Sequence, residues 1–137
     1  METHYDFTDE QFEQQFKSCT LSPSLFNHEA HLRLAWIHVT KHGVEQAIEN
    51  ICIQLVNFVA HIGATDKYNK TLTIAATRAV NHFVSKSTSS TFPEFINEFP
   101  RLKNNFKELM ASHYQVDIFN LPLAKIEYVE PDLVPFS

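Results

Sequence analysis

Glycine is almost absent from this chain, with only Gly43 and Gly63 among 137 residues. That excludes a glycine-rich phosphate loop and a G-x-S-x-G nucleophile elbow, both of which need several closely spaced glycines. Cysteine is equally scarce, and Cys19 and Cys52 form no CxxC or CxxxC pair, so a thiol-redox motif cannot be written onto the chain. Positive charge is also short. Eleven Lys and Arg stand against 16 Asp and Glu, for a formal net charge of -5 and a pI near 5.9. No broad positive field is therefore available to hold a phosphate backbone, and a nucleic-acid partner is not expected. Nor does any apolar run approach the roughly 18 residues that a membrane span requires. The opening METHYDFTDEQFEQQF is acidic and lacks the apolar core of a secretory leader. With no membrane signal and both thiols unpaired, the expected location is the cytoplasm.

What the chain does have is apolar residues (44%) and twelve Phe, enough for one sizeable core in a single domain over residues 1–137. The apolar spacing is helical, and the expected fold is all-α, a compact helical bundle with an extended C-terminal tail. Thr8 with Gln11 three residues on makes a capping box for a first helix carrying Phe12 and Phe16. Ser22-Pro23 predicts a long helix over 23–42, ended by Gly43. Val44, Ala47, Ile51, Leu55 and Val59 recur at three- and four-residue steps and predict a second over 44–62, ended by Gly63. Asp66 as cap predicts a third over 67–86, with Leu72, Ala75, Ala79, Val80 and Phe83 inward. Ser90 or Thr91 caps a short helix that stops before Pro100, and another runs from Arg101 to about His113. Beyond it Pro122, Pro131 and Pro135 interrupt the chain, and Ile126-Glu127-Tyr128-Val129 is its one strand-like run. Residues 118–136 are expected to dock as a non-helical strap, because Leu121, Leu123, Ile126, Leu133, Val134 and Phe136 are costly to leave in water.

Eight histidines carry the chemical interest: His4, His28, His31, His38, His42, His61, His82 and His113. His28 and His31 stand three apart in FNHEAHLRLAW, which puts both imidazoles on one side of a helix and within reach of one metal ion. This is not HExxH, because its second His comes one residue early. Zinc commonly takes three or more protein ligands, and non-haem iron takes two His and a carboxylate. A hairpin turning at Gly43 brings His61 toward the level of His28 and starts the next helix, with Tyr68, Asn69, Thr71 and Thr73, at the same end. His28, His31 and His61 are thus candidate ligands for Fe or Zn, Glu29 a further one, and Tyr68 a candidate proton donor. The structural alternative is a His pair with one ring in solvent and the other bonded to a backbone carbonyl or carboxylate. Glu29 would then pair with Arg33 four residues on, and His42 would sit at a favourable helix end. Phe26, Phe58 and Trp36 could border an apolar pocket.

The words FNHEAHLRLAW, KYNKTLT and YVEPDLVP together resemble a family of small helical bacterial proteins with H-x-x-H-L-R-L-A-W, K-Y-H-x-T-x-T and V-E-P-D-L-x-P words. By that resemblance Asn69 stands where a His would be expected, and no reaction is implied. Two functions follow as expectations. One is a small metal-dependent enzyme acting on a small, partly apolar molecule. The other is a non-enzymatic helical module for ligand binding, regulation or protein interaction, with a small-molecule ligand and a homodimer among its expected partners.

Overall fold

The computed structural model describes residues 2–136. Its eight α-helices are α1 (Asp9–Lys17), α2 (His28–His42), α3 (Val44–His61), α4 (Lys70–Val84), α5 (Phe92–Glu98), α6 (Arg101–Asn104), α7 (Phe106–Ala111) and α8 (Pro122–Ile126). No strand occurs among the described residues. The fold is the all-α bundle that the helical spacing predicts, with a non-helical stretch after α8.

The central helix is α2. It touches α1, α3, α4, α5 and α6, and every residue from Leu32 to Val39 is buried, as expected of a helix covered on all sides. Gly43 reverses the chain between α2 and α3 with φ +82° and ψ 166°, a conformation essentially closed to residues with a Cβ. The α3 stripe Ala47, Ile51, Leu55, Phe58 and Val59 then packs inward. In α4, Ala75, Ala76 and Ala79 lie in the core, small enough to let helices approach closely.

Several boundaries differ from the sequence expectation, each for a local reason. Pro23 opens only a single 3-10 turn, Pro23–Leu25, and Ser22 makes no side-chain cap. Phe26 leaves helical geometry so that its ring can meet Phe16 at 4.8 Å and Phe58 at 5.4 Å. Asn27 then caps α2 by accepting from Ala30 N. Thr65–Lys67 is likewise a 3-10 turn, and the cap of α4 is Asn69, not Asp66. Asn105, at φ −131°, splits the helix expected over 101–113 into α6 and α7. Thr91 caps α5.

The tail departs from the expected strap in two ways. Pro122 starts α8 at a position where its missing N–H costs nothing, and the run around Tyr128 pairs with no strand. Ile118, Ala124 and Phe136 are buried, whereas Leu123, Ile126, Leu133 and Val134 are exposed. Side-chain clasps hold it instead. Thr71 Oγ1 donates to Glu127 O at 2.8 Å and accepts from Val129 N at 3.0 Å. Tyr114 OH donates to Val129 O at 2.7 Å, and Asp132 Oδ1 accepts from Gln115 N at 2.8 Å.

Candidate functional site

The polar residues of α2 divide by direction. Arg33 is buried and fully engaged: Nε and Nη2 both donate to Asp9 Oδ1, at 3.0 and 2.9 Å, Nη2 to Phe7 O at 2.8 Å, and Nη1 to His4 O. Its guanidinium also lies over the Phe12 ring, 4.9 Å from the centroid. The expected Glu29–Arg33 pair is therefore not the arrangement found. Glu29 bonds His4 Nε2 at 3.1 Å and Lys103 Nζ at 3.1 Å. Burial works to raise the Glu29 carboxyl, but the hydrogen bonds from His4 and Lys103 outweigh it and hold the group below the usual carboxylate range.

His28 and His31 part company despite their spacing. His28 Nε2 is bonded to Leu102 O at 2.9 Å, and its ring packs on Phe106 at 4.8 Å. His31 turns the other way, stacking on Phe26 at 5.7 Å. Its Nε2 is buried and has no hydrogen-bond partner among the described residues. Burial, with a smaller contribution from the charge of His28, pushes the His31 imidazole down to about 4, so the ring is neutral at pH 7.

The His31 ring lines a cavity of about 330 Å³ between the Pro23–Phe26 segment, the end of α3, the Thr65–Lys67 turn and the first turn of α4. Phe26, Leu55, Phe58, Val59, Ile62 and Leu72 form its apolar wall. The polar contribution comes from His31, Lys67, Tyr68, Asn69 and Thr73. Several of these are already occupied. Asn69 Oδ1 accepts from Leu72 N at 3.0 Å while its Nδ2 donates to Ile118 O at 2.9 Å. Thr73 Oγ1 donates to Asn69 O at 2.8 Å. The Tyr68 hydroxyl sits beside the Cys52 thiol, and burial above all raises the phenol, so Tyr68 keeps its proton.

Of the residues the sequence singles out, His31, Tyr68, Asn69 and Thr73 thus share one cavity. His28, His61 and Thr71 do not line it: His61 is exposed, and Thr71 clasps the tail. Trp36 lies instead beside Phe92, 6.1 Å between ring centroids, and no residue of the tail borders the cavity. No group of three or more His, Cys, Asp or Glu side chains placed to hold a metal ion occurs among the described residues. The iron or zinc expectation therefore finds no three-ligand shell there.

Sequence reasoning missed Lys67, read as the first residue of a helix and found at the end of a 3-10 turn, and the apolar contribution of Ile62, read as the last residue of a helix. No helix among the described residues is long and apolar enough to cross a membrane. The chain matches none of the protein-family models, curated proteins and solved structures with which it was compared.

Proposed function

We propose that this chain is a non-enzymatic binding module that takes a small, partly apolar molecule into the His31 cavity. The observation that carries this reading is His31 itself. Its ring lines the cavity and makes no side-chain hydrogen bond among the described residues; Nε2 is closed off from solvent, so Nδ1 is the ring nitrogen left to meet a ligand. The volume of about 330 Å³ falls at the lower end of small-molecule sites, and an apolar wall with a few polar groups is their usual make-up. Neutral His31 and proton-retaining Tyr68 suit hydrogen bonding better than general acid–base work at pH 7, which calls for a group titrating near that pH.

The test is an NMR titration with 3-phenylpropanamide, a neutral probe of matching size. Backbone signals of Phe58, Val59 and Leu72 should move together and saturate, and Ala64→Trp, which fills the mouth of the cavity, should abolish the response. Absence of any response at millimolar probe would contradict the reading. So would stoichiometric zinc or iron, retained by untagged protein and lost in His28→Ala and His31→Ala.

A further inference from the structure

The charge around the cavity narrows the class of ligand. Of the residues that line it, Lys67 alone carries a charge at pH 7, since His31 is held neutral and no Asp or Glu is among them. Lys67 is exposed, and no carboxylate lies within ion-pair distance of it among the described residues. The backbone contributes both signs. Asn69, Leu72 and Thr73 bring the first turn of the 15-residue helix α4 to the cavity wall, where the aligned peptide dipoles present their positive end. The last turn of α3, with Phe58, Val59 and Ile62 on the wall, brings the negative end of its own dipole, so the discriminating charge is the Lys67 ammonium, a cation in a chain of net charge -5.

We infer that the ligand of this cavity is a small organic monocarboxylate, its anionic end at Lys67 and its apolar body among Phe26, Leu55, Phe58 and Ile62. This inference rests on the binding reading above and gives it a substrate class. An amine would meet Lys67 with like charge and find no counter-ion. A neutral apolar molecule would gain burial but leave the ammonium to water. A dianion is not matched, because one side-chain cation lines the cavity. Size sets the other limit. At roughly 30 Å³ for each water-sized volume, the cavity takes a molecule of about ten non-hydrogen atoms, which suits an aryl or branched short-chain acid and not a long-chain fatty acid.

The experiment compares three probes of one shape, 3-phenylpropionate, 3-phenylpropanamide and 3-phenylpropylamine, titrated into the full chain and its Lys67→Met variant at low ionic strength. The carboxylate should bind about fivefold tighter than the amide, the size expected of one solvent-exposed ion pair, and the amine weakest. Lys67→Met should erase the preference for the carboxylate and leave amide binding unchanged, and salt should do the same to the wild type by screening. Lys67 is exposed and makes no side-chain hydrogen bond among the described residues, so the variant should fold normally. Equal affinity for amide and carboxylate would overturn the inference while the binding reading stands. A carboxylate preference that survives in Lys67→Met would also overturn it, and failure of all three probes to bind would remove both.

Discussion

Arg33 and His31 sit two positions apart on the same central helix, and their surroundings are opposite. The Arg33 guanidinium donates to Asp9, Phe7 and His4 and stacks over Phe12, whereas His31 Nε2 is buried with no partner among the described residues. A buried charge whose donors are used is part of the architecture, because losing it strands every group it served. A neutral ring that lines a cavity and makes no side-chain hydrogen bond among the described residues ties no part of the fold together, and is left free to meet something that enters the cavity. The contrast separates residues that hold the fold from those that serve the site.

The sharpest way to break the comparison is Arg33→Leu. It leaves the carbonyls of His4 and Phe7 without their donor, while the half-exposed Asp9 carboxylate can turn to water, and urea denaturation should show a loss of about 2–4 kcal/mol. Arg33→Lys should recover only part of this, since an ammonium cannot reproduce the planar fork. A loss below about 1 kcal/mol for Arg33→Leu would show that the network is not structural.

Thr71→Val comes next. The two side chains have the same shape, but the change removes both hydrogen bonds to the tail and leaves Glu127 O and Val129 N to find water. Thermal unfolding should report about 1–3 kcal/mol lost, and amide exchange at Val129 should quicken. Unchanged exchange there would show that the tail is held without this clasp.

His31→Leu should have the opposite sign. Removing an unpaired buried nitrogen should raise stability by about 1–2 kcal/mol at pH 7. It should also alter the pH dependence. The imidazole titrates near 6.5 when unfolded and is held down to about 4 in the fold, so below pH 6.5 the unfolded chain binds the proton first. The penalty for keeping His31 unprotonated in the fold is absent above pH 6.5 and grows as pH falls from 6.5 to 4. The variant should therefore lose less stability over that window than the wild type. Some slope will remain, because burial also lowers His4, His38 and His82. Identical pH profiles for variant and wild type would contradict the depressed His31 titration.

How much of this was legible in the sequence follows from the range of each interaction. The α3 stripe and its Gly43 boundary were legible because they depend on steps of three and four residues and on one backbone conformation. The start of α2 was not. Ser22-Pro23 is a sound local signal, but Phe26 gains more by turning into Phe16 and Phe58 than by continuing a helix, and only the tertiary contact decides that. The site behaves likewise. The three-residue spacing correctly placed His28 and His31 near each other along α2, yet Leu102 O and Phe106 draw one ring away, and both lie more than 70 residues later in the chain. Pairing of Arg33 with Asp9 instead of Glu29 also needs α1 in place. The words HLRLAW, KYNKTLT and YVEPDLVP are intelligible in hindsight, as Arg33 binds the N-terminal segment, and Asn69, Thr71, Val129 and Asp132 fasten the C-terminal one.

The most direct test of the central claim is the ring-nitrogen NMR spectrum of His31, recorded at pH 7 with and without saturating 3-phenylpropanamide. If His31 is the site's unsatisfied group, its ring-nitrogen resonances should begin as those of a neutral imidazole and Nδ1 should move on saturation, while the rings of His4 and His38 stay fixed. Ring-nitrogen resonances of His31 unmoved at a saturating level of the probe would contradict the claim.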